Sequence, residues 1–256
     1  MKAIILAAGY ATRLYPLTLN RPKALLDIHG KPIINYIIEG INEINAINKI
    51  YVITNGLFAN HFKAWEKNII STIPIKIVND GTFSEETRLG AIGDLQYCIQ
   101  EEAIDDDVII IAGDNFFNFS LNDFYNFYVK YKTDSVCLGE IKEIEKLKNF
   151  AVAEIKDNYL IGLVEKPQQP KTNIVAFAIY IYKRETLSLI SPYLNEGNSK
   201  DAPGYFLEWL YKKQKVSAYK INGQCYDIGT LEGYNYVQGL KNKINNCSGE
   251  EMADLL

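Results

Sequence analysis

The chain has 256 residues, 48% of them apolar and 23% charged, with a formal net charge of −4. That balance is ordinary for a globular protein, and a chain of this length buries most of its apolar surface without disulfide staples. The slight acidic excess argues against a nucleic-acid coat, and four scattered cysteines without a CxxC pair, beside only two histidines, argue against a zinc site.

Cys98, Cys137, Cys225 and Cys247 read as reduced, mostly buried thiols of a cytoplasmic protein. An apolar strand follows Met1 directly, so no secretory leader is expected. No apolar run approaches the ~20 residues that span a bilayer.

In chain order, KAIILAA is a nearly continuous apolar run, as expected of a parallel strand covered on both faces. PIINYIIEGINEI places Ile34, Ile37, Ile38, Ile41 and Ile44 on one helical stripe. KIYVIT reads as a strand, LFANHFKAWEKNII as a helix and IPIKIV as a third strand. LGAIGDLQYCIQEE is the next helix. DDVIIIAGDN is a strand that ends in an acidic turn, and SLNDFYNFYVKYK is a helix. This βαβα alternation over residues 1–130 implies an α/β, Rossmann-like fold: a mostly parallel central sheet flanked by helices. Ligands of such sheets bind beyond the carboxyl ends of the strands, where Gly9 and Asp114 fall.

The second half is richer in strands. SVCLGEI, AVAEI, YLIGLVEK, NIVAFAIYIYK, VSAYKI and CYDIGT are strand-like, while ETLSLISPYL, YFLEWLYKKQ and TLEGYNYVQGLKNKI read as helices. No linker separates the halves, so residues 1–256 are read as one domain. Residues 1–130 form its first half and residues 131–241 its second. Residues 242–256 form a polar tail, mobile or packed on a neighbour.

The first strand stops at Ala7, Ala8 and Gly9, and Thr12, Arg13 and Lys23 follow. A nearly side-chain-free turn lets backbone N–H groups approach an anion. Arginine forks two hydrogen bonds onto phosphate oxygens, and lysine acts as a point charge. GxGxxG after this strand, the mark of a Rossmann dehydrogenase, is absent, and so is a Walker loop.

The stretch LAAGYATRLYPLTLNRPKALLDIHGKPII closely resembles the signature of sugar-1-phosphate nucleotidyltransferases, the short glucose-1-phosphate thymidylyltransferase type among them. AGDNFF, LVEKPQQPKTNIVAFAIYIY, KDAPGYFLEWL and CYDIGTLEGY resemble further segments of that family. The resemblance implies a nucleotide-diphospho-sugar transferase fold, with residues 1–130 as its nucleotide-binding half and residues 131–241 as its sugar-binding, metal-completing half, and an enzyme that joins a nucleoside triphosphate and a sugar 1-phosphate with release of pyrophosphate. The leading pair is dTTP and glucose 1-phosphate; UTP or CTP are the alternatives. It implies Mg²⁺ on Asp114 and Asp227, and catalytic roles for Arg13, Lys23 and Lys166. Leu6, Ala7, Ala8, Gly9, Thr12, Asn79, Arg88 and Gly90 would bind the nucleotide. Glu165, Lys166, Asn173 and Gly139 would bind the sugar phosphate. A homo-oligomer is implied too, with no nucleic-acid or membrane partner. A sensing subunit that had kept the fold but not the chemistry would have lost one of Arg13, Lys23, Asp114 or Asp227, and all four are present.

The chain departs from the pattern where Tyr10 and Ala11 replace small residues or glycines, and at Ala24, where thymidylyltransferases often carry glutamine. A left-handed Ala11 would be strained. The loop NDGTFSEETRLGAIGD lacks the family's base-contacting Gln and Asp-Gly-Leu, and its LGAIG resembles the Leu-Gly-Thr-Ala-Gly of relatives with other nucleotide preferences. Arg88 either reaches the nucleotide or pairs with Glu85 or Glu86. His29 and His61 read as surface residues without a catalytic role.

Overall fold

The computed structural model describes residues 1–246, with side chains to residue 240. The first half runs β1 (Lys2–Leu6), a small hairpin of β2 (Asp27–Ile28) and β3 (Lys31–Pro32), α1 (Ile33–Asn42), β4 (Ile50–Thr54), α2 (Ala59–Glu66), β5 (Ile75–Asn79), α3 (Ala91–Glu101), β6 (Val108–Ala112), β7 (Asn115–Phe117) and α4 (Leu121–Tyr131). The second half runs β8 (Asp134–Glu140), α5 (Ile144–Leu147), β9 (Ala151–Lys156), β10 (Tyr159–Glu165), β11 (Ile174–Tyr182), α6 (Arg184–Leu187), α7 (Ile190–Asn195), α8 (Pro203–Leu210), β12 (Val216–Lys220), β13 (Cys225–Asp227) and α9 (Leu231–Asn246).

One nine-stranded sheet passes through both halves in the order β5-β4-β1-β6-β11-β8-β12-β10-β9. Pairing is parallel from β5 to β6, as the helical crossovers require. β11 then enters antiparallel between β6 and β8, and also pairs β9. The sheet is therefore mixed: β8 and β12 return to parallel pairing, while β10 runs antiparallel to both β12 and β9. Strands from the two halves lie side by side because β11 reaches back across the molecule to β6.

Burial follows the sequence pattern. Ala3, Ile4 and Ile5 of β1 have no exposed surface, consistent with a strand covered on both faces, and the α1 isoleucines Ile34, Ile37, Ile38 and Ile41 are likewise fully buried. α4 begins at Ser120, whose hydroxyl accepts the Asp123 N–H at 3.2 Å. The helix read from ETLSLISPYL is two pieces, α6 and α7. A continuous helix would drive the Pro192 ring into the carbonyl of Ser188, four residues earlier, so the chain turns there. α9 reaches Asn246, so part of the expected tail is helical, and residues 247–256 lie outside the described residues. Among the described residues no helix is long and apolar enough to cross a membrane.

The loop after β1 is anchored from beneath. Fully buried Asn55, at the end of β4, donates to the Ala8 carbonyl at 2.8 Å and accepts the Phe58 N–H at 3.0 Å. Asn55→Ala strands the buried Ala8 carbonyl and leaves the Phe58 N–H only its longer, 3.3 Å bond to the backbone carbonyl of residue 55, so we expect a loss of about 1–3 kcal/mol in urea unfolding. A loss under about 0.5 kcal/mol, the scatter of neutral surface changes, would show that the loop does not lean on this side chain.

Candidate functional site

The carboxyl ends of β1 and β6 open on a cleft of about 380 Å³. One wall is the turn from Leu6 to Arg13; the others come from residues 112–115, 149–151, 165–166, 201–204 and Asp227. The Ala7 and Gly113 N–H groups bond to the Ile53 and Leu6 carbonyls at 2.9 and 2.8 Å, tying the turn to both neighbouring strands. Nothing lies within 4 Å of where a Cβ on Gly9 would sit, so the backbone there faces open space. Ala11 is left-handed, with φ 52°. That conformation costs an L-residue about 1–2 kcal/mol. It is held by the Thr18 hydroxyl and the Leu14 N–H, both donated to the Ala11 carbonyl, at 2.8 and 3.0 Å.

β13 pairs antiparallel with β7 so that Asp227 faces Asn115, and the Ile228 N–H donates to the Asp114 carbonyl at 3.1 Å. Two aspartates 113 positions apart thus become neighbours. Lys23, on a 3₁₀ turn over Lys23–Leu25, forms an ion pair with Asp114. Burial works against the Lys23 charge, but the Asp114 and Asp227 carboxylates outweigh it and hold the ammonium above its ordinary pKa. Asp227 is pushed up, by desolvation first and by the Asp114 charge second, with Lys23 and Arg13 opposing. Arg13, on the turn Thr12–Leu14, is exposed along the same wall.

The opposite end holds Glu165 and Lys166. The Glu165 side chain is only 6% exposed, and that of Lys166 is 49% exposed. Burial pushes the Glu165 carboxyl up to about 7; Lys166 opposes this and Glu208 adds to it. Lys166 has φ 49°, a left-handed lysine held by its N–H bond to the Phe150 carbonyl at 3.0 Å. Such outliers persist only where their surroundings over-determine them. A Cβ on Gly204 would fall 1.8 Å from Glu165 Oε2, so this carboxylate fits only because residue 204 has no side chain.

Leu6, Ala7, Ala8, Gly9, Thr12, Arg13, Lys23, Arg88, Gly90, Asp114, Glu165, Lys166 and Asp227 all line the cleft. Asn79, Gly139 and Asn173 do not. Asn79 uses its carboxamide to accept the Gly81 N–H at 3.0 Å, a local turn. Gly139 makes room for the Phe177 ring, 2.5 Å from where its Cβ would stand. Asn173 offers its carbonyl to the Ile141 N–H at 3.0 Å, a strand-end bond. Arg88 lines the cleft yet pairs with Glu85 at 2.8 Å and Asp201 at 3.0 Å. His29 packs on the last helix, its ring nitrogen 2.8 Å from the Val237 carbonyl. Tyr10, Glu85, Asp94, Asn149, Tyr180 and Asp201 were not singled out as site residues, yet they line the cleft. Only the loop around Glu85 carried a hint.

Among the described residues no group of three or more His, Cys, Asp or Glu could enclose a metal ion. Asp114 and Asp227 offer hard oxygens only. This suits an ion that keeps waters and completes its shell with substrate phosphates, as Mg²⁺ does.

A family model described as nucleotidyl transferase matches residues 2–241. The bifunctional protein GlmU of Methanocaldococcus jannaschii is 32% identical over 254 residues, 96% of this chain. The chain spans 55% of that protein's length, about half. The UTP–glucose-1-phosphate uridylyltransferase AglF of Haloferax volcanii is 25% identical over 91% of this chain and 93% of its own. A solved UDP-glucose pyrophosphorylase in complex with UDP-glucose shares the fold, with TM-score 0.80 and 21% identity, over 95% of this chain and 98% of that one.

Glu165 supplies a stability test. Its unfolded carboxyl ionises near the ordinary value of 4.5 and its folded one near 7, so the folded state holds the proton longer. The Glu165 contribution to stability therefore falls as pH rises through that window, by about 3 kcal/mol, and levels off above it, while the raised Asp227 and Asp94 carboxyls add slopes of the same sign. We expect Glu165→Gln to make the slope shallower by that share in urea titrations between pH 4 and about 8. An unchanged slope would show that Glu165 is not the group responsible.

Proposed function

The chain belongs to the nucleotidyl transferase family, and from that premise we propose that it joins a nucleoside triphosphate to a sugar 1-phosphate, releasing pyrophosphate and an NDP-sugar. The observation that carries this reading is the β7–β13 pairing, which sets Asp114 and Asp227 side by side next to Lys23 at the mouth of an anion-ready turn. Two polyanions must meet for this reaction, so the protein's tasks are charge neutralisation and in-line positioning.

A sugar-phosphate oxygen attacks the α-phosphorus, and the bond to the departing pyrophosphate oxygen breaks. Arg13 grips the β- and γ-phosphates and stabilises the charge that accumulates on the leaving group. Lys23, locked in its charged form by two carboxylates, faces the α-phosphate. Lys166 holds the incoming sugar phosphate and offsets its repulsion from the triphosphate. Glu165 accepts hydrogen bonds from sugar hydroxyls. The attacking phosphate is already ionised near neutral pH, so no general base is required. Asp114 and Asp227 would hold Mg²⁺, whose charge neutralises the polyphosphate when bound.

The finer reading, dTTP with glucose 1-phosphate, draws on the opening motif. That motif addresses phosphates, which every nucleotide shares, so the base is chosen elsewhere in the cleft.

The test is pyrophosphate release with a panel of triphosphates and sugar 1-phosphates in the presence of magnesium. We expect release only when both substrates are present. Lys23→Ala and Asp227→Asn should each lower kcat by about 10²–10³ with circular dichroism unchanged. Silence with every pair would overturn the reading.

A further inference from the structure

The cleft lining includes Glu85, Arg88 and Gly90, from the loop that enters α3, and Asp201 to Gly204, where the chain enters α8. These two segments are bound directly to each other. Arg88 donates to Asp201 at 3.0 Å, and the Lys200 ammonium donates to the Arg88 carbonyl at 3.1 Å. The Ile92 N–H donates to the Lys200 carbonyl at 3.0 Å. The backbones come this close because residue 90 is glycine. It has φ 79°, and a Cβ there would fall 2.6 Å from the Lys200 carbonyl oxygen.

The α8 side of this junction carries the surroundings of Glu165. Gly204 leaves room for the Glu165 carboxylate, and Glu208 accepts the Glu165 N–H at 3.0 Å. Only Ala202 and Pro203 separate Asp201 from Gly204, and Pro203 opens the helix with a fixed φ. A shift of Asp201 is therefore passed on to Gly204 with little slack. Arg88 is committed on its other side as well, to Glu85 at 2.8 Å. Exposed ion pairs contribute little to stability one by one. What a planar guanidinium adds is direction, because it fixes the geometry of the carboxylates it meets.

We propose that Arg88 is a positioning residue for the Glu165–Lys166 subsite: by bracing Asp201 it holds the start of α8, the wall against which the Glu165 carboxylate packs. The inference rests on the nucleotidyltransferase reading for what binds at Glu165, and it takes Arg88 out of the set of nucleotide ligands expected from the sequence. A brace and a nucleotide ligand respond differently to substitution.

The first measurement is the ionisation of Glu165, followed by carbon-13 NMR of carboxyl-labelled glutamate, with Glu165→Gln assigning the signal. The groups that face this carboxyl are Lys166, Glu208 and the Tyr180 and Tyr193 phenols. Arg88 is not among them, so losing its charge leaves the field at Glu165 alone, and only a displaced wall that admits water moves the titration. In Arg88→Ala the midpoint is expected to fall from about 7 to about 6 or lower. Asp201→Ala should act alike, and the double variant should add little to either. The second measurement is kinetic, with the substrate pair that the pyrophosphate panel turns over. In Arg88→Ala the KM for the sugar 1-phosphate is expected to rise about three- to tenfold. Triphosphate affinity, by isothermal titration without sugar phosphate, should stay within about twofold. An unchanged Glu165 midpoint, a KM that does not move while the midpoint falls, or a loss of triphosphate affinity as large as the rise in KM would each overturn the inference. A lowered midpoint in a protein whose wild type turns over no pair would leave Arg88 as the brace and defeat the transferase reading instead.

Discussion

Two carboxylates forced together are the constraint around which the cleft is organised. Asp114 and Asp227 repel one another, and their proximity is tolerated because Lys23 sits against one and Arg13 faces the other. The burial that raises Asp227 would suppress the Lys23 charge by itself, so each group stabilises the other's ionised form. Such a cluster is balanced internally and still has unspent oxygen ligands. That is the state expected of a site whose final balance is set by an incoming polyanion and its counter-cation.

Its geometry is inherited from the backbone. β7 is three residues long and β13 is three residues long, a pairing too small to stand alone. It survives because β7 continues from β6 through Gly113, and because Ile228 is buried in a small core with Leu14, Leu26, Ile28, Ile33 and Val237. That core ties the end of the chain to the segment carrying Arg13 and Lys23. The functional ends of both halves are thus fixed by apolar packing beneath them, while the strained positions Ala11 and Lys166 lie on the cleft rim.

The cleft is also mixed in charge. Arg13, Lys23 and the Asp114 and Asp227 carboxylates line it together, as do Lys166 and a Glu165 carboxyl raised to about 7, and Tyr10, Glu85, Arg88 and Asp94 complete the lining.

Much of this was legible in the residues. The alternating apolar runs dictated a parallel sheet over the first half because strand and helix periodicities differ and each survives in isolation from the rest of the chain. The string from Leu6 to Lys23 announced an anion site for the same local reason: small residues free the backbone, and cations follow at short spacing. Asp114 and Asp227 were named from their resemblance to a family, since no spacing argument links positions 113 apart. Asn79, Gly139 and Asn173, expected as ligands, do not line the cleft; they sit at strand ends or edges where turn bonding and ring packing compete for the same residue types. Asp94 was hidden altogether, because in a helical stretch an acid reads as solvated surface. Composition and periodicity by themselves determined the class of fold and the nature of the opening turn. Only the tertiary structure decided that β11 crosses back to β6, that two distant aspartates share a lysine, and that Arg88 is braced between Glu85 and Asp201. Those facts depend on long-range register and desolvation, which no local pattern encodes.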